Sequence, residues 1–350
     1  DRRAGRAARR GGPPGRGGGR LMAERPRIAL LIPPASLGRM FTEEALARLS
    51  ELGQVVRGDG TSDEIAADLP ELLEDTDVAV TGWGAPPIPA ELFGPRLRLV
   101  AHAAGSVKRL IPEEVVARGV AVSHAASVIA DAVCEFALGL ILLGLRRPHE
   151  MDAAMRAGAG WREAAFARPR LLAGRPVGVV GAGYVGRRVI GMLRALRAEL
   201  LVYDPYLTDD LGARPVGLGE LFAGSEVVTL HAPITPETRH MIGAEHLARL
   251  RDGAVFVNVA RSWLVDQEAL LAELGKTRFW AALDVFDQEP LPLDSPFRAL
   301  PNVLITPHEA GHTIDTYARQ GMAMVAEVER FLRGEKLQHQ IRPEQFGLMA

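Results

Sequence analysis

The stretch Val177-Gly178-Val179-Val180-Gly181-Ala182-Gly183-Tyr184-Val185-Gly186 decides the fold. Val177–Val180 reads as a short buried strand, and the segment Arg187–Arg197 after the glycines has a helical pattern. Each glycine between them has a physical reason. Gly181 permits a tight turn, Gly183 lets backbone approach a pyrophosphate, and Gly186 lets helix and strand pack closely. The helix N-terminus then offers free N–H groups and partial positive charge to phosphates. The next strand, Leu200–Tyr203, ends at Asp204, roughly 20 residues past the glycines. An acid there accepts hydrogen bonds from ribose hydroxyls and repels a 2′-phosphate, which favours NAD over NADP. By itself the same Asp reads equally as a turn cap before Pro205. The other glycine pair, Gly82-Trp83-Gly84, leads into Ala85-Pro86-Pro87 and reads as a strand-end turn.

Outward from this stretch the chain alternates strands and helices. Later strands are expected at Val227–Leu230, Ala254–Val259, Ala281–Val285 and Val303–Thr306. An earlier series runs Ile28–Ile32, Gln54–Val56, Val78–Thr81, Leu97–His102 and Val120–Ser123. Thr42 reads as an N-cap followed by Glu43 and Glu44, and Ser62-Asp63-Glu64 starts another helix. Alternation of this kind implies parallel sheets covered on both faces. The first unit ends near His124. A helix over Ile129–Arg147 follows, with Pro148 expected to stop it. The last segment, Thr313–Arg333, is helical, with Gly334 as its C-cap. No internal repeat is visible.

At 350 residues the chain is long enough for two cores. Residues 1–20 hold seven Arg and one Asp, a local charge of +6, which leaves the rest of the chain at −8. A mildly acidic body argues against a nucleic-acid surface as the main function. Residues 1–21 lack the apolar side chains needed to offset ordering entropy and read as a disordered tail or the product of a misplaced start. RNA binding by this tail is the minor alternative. The longest apolar run, Phe136–Leu145, is short of the ~20 residues that span a bilayer, so a buried or interface helix is expected and no membrane contact. Cys134 is the only cysteine, which excludes an internal disulfide and fits a cytoplasmic location. No metal-ligand spacing is apparent.

Three polar residues lie just past successive predicted strand ends. Arg261 follows Val259-Ala260, Glu289 precedes Pro290, and His308 follows Thr306-Pro307. In isolation these read as a surface ion-pair residue, a loop acid and a structural histidine. Together they sit where strand C-termini surround the ligand crevice of an open α/β sheet. A guanidinium there can hold a carboxylate bidentately. The set suits hydride transfer between a nicotinamide and a carbonyl next to a carboxylate.

These motifs resemble the D-isomer-specific 2-hydroxyacid dehydrogenase family, which includes phosphoglycerate, glyoxylate and formate dehydrogenases. The resemblance rests on Gly181–Gly186, Val202-Tyr203-Asp204-Pro205, His231-Ala232-Pro233 with Thr235 and Thr238, Asn258–Asp266, Ala282–Phe286, Glu289-Pro290 and Thr306-Pro307-His308 with Ala310-Gly311. It implies two doubly wound α/β domains with a cleft between them. A flavodoxin-like substrate domain would comprise 22–124 and 309–350, and a Rossmann NAD domain 125–308. Arg261 would bind the substrate carboxylate, His308 would be the acid/base, and Glu289 would hold its imidazole. Tyr184 and Val185 would offer backbone to the pyrophosphate. His231, Ala232, Pro233 and Thr238 would line the adenosine side, with Val259 and Ala260 also at the cofactor and Asp284 on the carboxamide. The loop Ala104-Gly105-Ser106 would give N–H groups to the substrate carboxylate. The partners implied are a small 2-oxo or 2-hydroxy acid and a second copy of the chain, with Ile129–Arg147 as an interface element. Ser262 departs from a usual Gly, Glu309 from an apolar residue, and Lys108 from an acid. Glu309 and Lys108 are both expected to face solvent. The alternative class is an NAD(H)-sensing binding module, like corepressors on the same fold.

Overall fold

The computed structural model describes residues 25–164, 169–347 and 349. The tail read as disordered lies outside these residues, except that the first structured segment begins just after it. Five strands, β1 (Arg27–Leu30), β2 (Gln54–Arg57), β3 (Val78–Thr81), β4 (Leu99–His102) and β5 (Ala121–His124), form one sheet in the order β2-β1-β3-β4-β5. Every pairing in it is parallel. Its helices are α1 (Pro34–Met40), α2 (Glu43–Leu52), α3 (Ser62–Leu73) and α4 (Glu113–Ala117). Successive side chains of β1 enter opposite cores, as strand geometry requires. Ile28 and Leu30 pack with Val78 and Val80, while Ala29 and Leu31 pack with Ala79 and Val100.

Two helices, α5 (Ala126–Arg146) and α6 (Pro148–Arg156), lead to a second sheet. Its strands are β6 (Pro176–Val180), β7 (Glu199–Tyr203), β8 (Arg214–Pro215), β9 (Val227–Leu230), β10 (Val255–Asn258), β11 (Trp280–Leu283) and β12 (Val303–Ile305). Their order is β12-β11-β10-β9-β6-β7-β8, again all parallel. The order reverses between β6 and β9, where such sheets open a ligand crevice at the strand C-termini. Helices α7 (Tyr184–Ala195), α8 (Leu218–Gly224), α9 (Ala244–Leu247) and α10 (Gln267–Gly275) belong to this unit. The chain closes with α11 (Ile314–Leu332) and α12 (Pro343–Phe346).

Helix α11 returns to the first sheet and packs on α1, α2, β4 and β5. Gly321 allows this, because a Cβ there would lie 2.0 Å from the Met40 carbonyl oxygen. Glu327, fully buried on α11, accepts bonds from Ser123 Oγ at 2.7 Å, Gln338 N at 3.0 Å and His339 N at 2.9 Å. Such a carboxylate is stable only because its oxygens are so fully satisfied.

The structure corrects several boundaries. Helix α5 begins three residues before the expected start, and α7 begins at Tyr184 rather than Arg187. Pro148 does not simply stop a helix. Arg147 turns left-handed (φ 51°) and Pro148 opens α6, where its missing N–H leaves no bond unmade. Thr42 caps α2 as expected, while α3 is capped by Thr61 in a reciprocal pair with Glu64. With 21 residues, α5 is long and apolar enough to cross a membrane by length and composition alone. Counting only the uninterrupted run missed this. Here it lies against α7, α11 and the second sheet, with Gly144 close enough to Trp280 that a Cβ would meet the indole at 2.6 Å.

Candidate active site

The glycine stretch folds as its spacing requires. Gly181 has φ 91°, a region open to glycine, and a Cβ there would lie 2.6 Å from Ala232 N. A Cβ on Gly186 would lie 2.0 Å from the Gly181 carbonyl oxygen. Gly183 differs: a Cβ there would meet nothing within 4 Å. The protein itself therefore has no need of a glycine at 183, and the open space lies at the N-terminus of α7. No side chain caps that helix, so the N–H groups of its first turn, including Tyr184 and Val185, stay free for an anion. A dinucleotide pyrophosphate fits this cradle.

Asp204 is seen in the structure as a turn cap. One carboxylate oxygen accepts Ala182 N at 2.7 Å and the other Tyr206 N at 2.9 Å. Each oxygen keeps a further lone pair for a ribose hydroxyl. His231 bonds Thr229 Oγ1 through Nε2 at 2.9 Å, and its Nδ1 is buried without a partner among the described residues. Burial pushes its pKa down to about 3, so the ring is neutral. Thr238 turns inward: its hydroxyl donates to the Pro233 carbonyl at 2.7 Å and accepts Thr235 N at 2.7 Å. It shapes the loop carrying Ala232 and Pro233.

Glu289 joins the three polar residues. One oxygen lies 2.7 Å from His308 Nδ1, the other accepts Phe286 N at 2.9 Å, and its charge favours the Arg261 cation. With Nδ1 held by Glu289, Nε2 is the imidazole nitrogen left for a substrate. Burial lowers the Arg261 pKa, Glu289 opposes this, and Arg109 adds to it. The guanidinium stays charged regardless. The buried Asn258 amide clasps the backbone on both sides, donating to Arg261 O at 3.0 Å and accepting Ala260 N at 3.1 Å. Arg261 is extended and Ser262 opens a short 3-10 turn, so the turn needs no glycine at 262.

His308 has φ 59°, a left-handed backbone that costs an ordinary residue ~1–3 kcal/mol. Asp284 holds it there. Fully buried, its carboxylate accepts Thr306 Oγ1 at 2.6 Å, Glu309 N at 3.0 Å and Ala310 N at 2.9 Å. Asp284 thus anchors the loop carrying the histidine, and its full burial leaves it no exposed surface for the carboxamide the resemblance assigns to it. Glu309 points outward as expected, 3.5 Å from His312, which stacks on Tyr317 and meets the edge of Trp83.

Lys108 corrects the sequence reading. It is half-buried, and its Nζ donates to Ile234 O at 3.3 Å and Gly347 O at 3.1 Å, bridging the two sheets' loops. Burial lowers its pKa, with Glu113 opposing. In the preceding loop, the N–H groups of Gly105, Ser106 and Val107 have no partner among the described residues. Consecutive free N–H groups of this kind form an anion-binding concavity. Two buried histidines behind the loop, His102 and His124, went unnoticed in the sequence. Their position at the ends of adjacent strands was the available signal.

Comparison with known proteins agrees with this architecture. Residues 138–310 match the model of the D-isomer specific 2-hydroxyacid dehydrogenase NAD binding domain. A glyoxylate reductase of Korarchaeum cryptofilum is 35% identical over 277 residues, 76% of this chain and 82% of that protein. The chain belongs to the D-isomer specific 2-hydroxyacid dehydrogenase family. A D-3-phosphoglycerate dehydrogenase of Methanocaldococcus jannaschii is 32% identical over 84% of this chain, which spans only 56% of that longer protein. A phosphoglycerate oxidoreductase from Rhizobium etli has the same fold, with TM-score 0.76, 29% identity and coverage of 91% of this chain and 98% of that one. The binding-module alternative draws no support from these relatives.

Proposed function

We propose that the protein is an NAD-dependent oxidoreductase acting between a 2-oxo acid and its D-2-hydroxy acid. The observation that carries this is the Glu289 carboxylate, bonded to His308 at 2.7 Å and close enough to favour the Arg261 charge. In our reading Arg261 and the N–H groups of Gly105 and Ser106 grip the substrate carboxylate. His308 Nε2 then faces the ketone oxygen. With its pyrophosphate held at the α7 cradle, NADH would supply the hydride. As that oxygen gains negative charge, His308 passes it a proton, and Glu289 stabilises the imidazole throughout. The protein supplies orientation and charge. Asp204 favours NAD by repelling a 2′-phosphate.

We take 22–124 with 309–350 as the substrate side and 125–308 as the cofactor side. We further propose a cytoplasmic homodimer joined through α5, whose Glu135, Gly139, Leu142 and Arg146 form one exposed stripe at helical spacing. The test is NADH oxidation against a panel of 2-oxo acids, with His308→Ala alongside. Loss of an acid/base of this kind lowers turnover by about 10²–10⁴ while NADH still binds. Undiminished turnover in the variant would remove His308 from the reaction.

A further inference from the structure

Thr81, His102 and His124 are register partners at the C-terminal ends of β3, β4 and β5. Residues in register on a parallel sheet share a face, so the three make a polar row across the end of the sheet. All are buried. Thr81 Oγ1 lies 3.0 Å from His102 Nδ1, and the Ser106 backbone interacts with the His102 ring. His124 Nδ1 lies 2.7 Å from the Gly105 carbonyl oxygen and donates to it, while Ala125 N donates to Ala104 O at 2.9 Å. Burial keeps both histidines neutral, with His102 pushed down to about 3.

A trans peptide carries its C=O and N–H on opposite edges. Drawing the carbonyls of Ala104 and Gly105 into the domain therefore turns the N–H groups of Gly105 and Ser106 outward. Those are two of the three N–H groups that lack a protein partner. Gly105 gives no steric direction of its own, since a Cβ there would touch only Ile129 Cδ1 at 3.8 Å. The loop's polarity is imposed from behind.

We propose that His124 is a positioning residue for substrate recognition, holding the Gly105 peptide so that the Ser106 N–H faces a carboxylate. This rests on the reading of the site given above. His124 also meets the edge of Tyr184, at a ring separation of 6.2 Å, in the first turn of the cofactor helix. The carboxylate loop and the pyrophosphate cradle thus share one side chain.

Oxalate binding to the NADH-loaded protein, measured by calorimetry, reads the loop without needing turnover. His124→Ala should weaken oxalate about tenfold, the effect of disturbing one charge-assisted hydrogen bond. His124→Asn keeps an N–H at nearly the position of Nδ1 and lacks the ring, so it should restore oxalate affinity. An alanine variant that binds NADH normally and oxalate as tightly as wild type overturns the proposal, as does a folded asparagine variant as weak as the alanine one. Arg261→Ala separates the two layers of argument. If wild type does not bind oxalate, or Arg261→Ala does not weaken it, the site reading falls and takes this inference with it. If Arg261→Ala weakens binding and His124→Ala does not, the inference falls alone. Should the alanine variant not fold, amide exchange in wild type decides: oxalate must slow exchange at Ser106, and no slowing overturns the proposal.

Discussion

The two ends of the cleft each present a row of free backbone N–H groups, built by opposite means. At the cofactor end a helix does the work: α7 begins without a cap, and its first turn exposes N–H groups by the geometry of any helix. At the substrate end no helix is available. The N–H groups of Gly105 and Ser106 face outward because the His124 side chain and the Ala125 amide, at the end of β5, hold the carbonyls inward. The first device is local and announces itself through glycines. The second is assembled from residues far apart in the chain and leaves no motif.

The sharpest way to break this contrast lies within the glycine cradle. Gly186→Ala forces a Cβ against the Gly181 carbonyl and should cost about 3 kcal/mol, seen as a lowered Tm and weakened NADH binding. Gly183→Ala meets no protein atom, so Tm should hold while NADH affinity falls about tenfold as the methyl enters ligand space. Equal behaviour of the two variants would mean that position 183 is not a ligand contact.

The substrate end should instead betray itself to acid. His102 and His231 both have pKa values near 3 in the fold, against about 6.5 unfolded. A depressed histidine pKa means the unfolded chain takes up protons first. Stability is therefore fully present above pH 6.5 and declines as pH falls from there toward 3. At pH 5 each should cost roughly 2 kcal/mol relative to pH 8. Urea unfolding at the two pH values reads the sum, to which the buried His124 and the half-buried His149, also lowered, add in the same direction. Replacing His102 by Asn, which removes its titration and leaves His231 untouched, assigns the His102 share on the substrate side. A pH-independent midpoint would contradict the buried neutral state of both rings.

The smallest effect is expected at Asp204. Asp204→Asn keeps an acceptor for one of the two N–H groups and removes the charge, shifting the NADPH-to-NADH ratio of kcat/KM by about tenfold toward NADPH. An unchanged ratio would leave turn capping as the residue's only role.

Much of the second sheet was legible because its signals are local. The strand, the glycines and the acid at the next strand end all fall within one βαβ unit. Arg261, Glu289 and His308 were legible only as a set, since each alone has a commoner explanation. Three features resisted. The partner that holds Gly105 is His124, 19 residues away. Lys108 finds its acceptors 126 and 239 residues away, so nothing near it marked it as a bridge. Asp284 was assigned to the cofactor by resemblance, while its bonds to Glu309 N and Ala310 N follow from a fold that pairs β11 with β12. Short helices such as α1 and α9 escaped because four to seven residues carry too little periodicity.

The return of α11 also dictates an order of events during synthesis. Met324, Val325 and Val328 complete the core that Ile28, Leu30 and Val78 begin. A sheet made before the second one is thus finished by a helix made after it. The intervening βαβ series needs nothing from either terminus to pair its strands. As the chain emerges, that middle unit can be folded while the first sheet still waits with one face only partly covered by α1 and α2, the condition in which a nascent chain leans on chaperones.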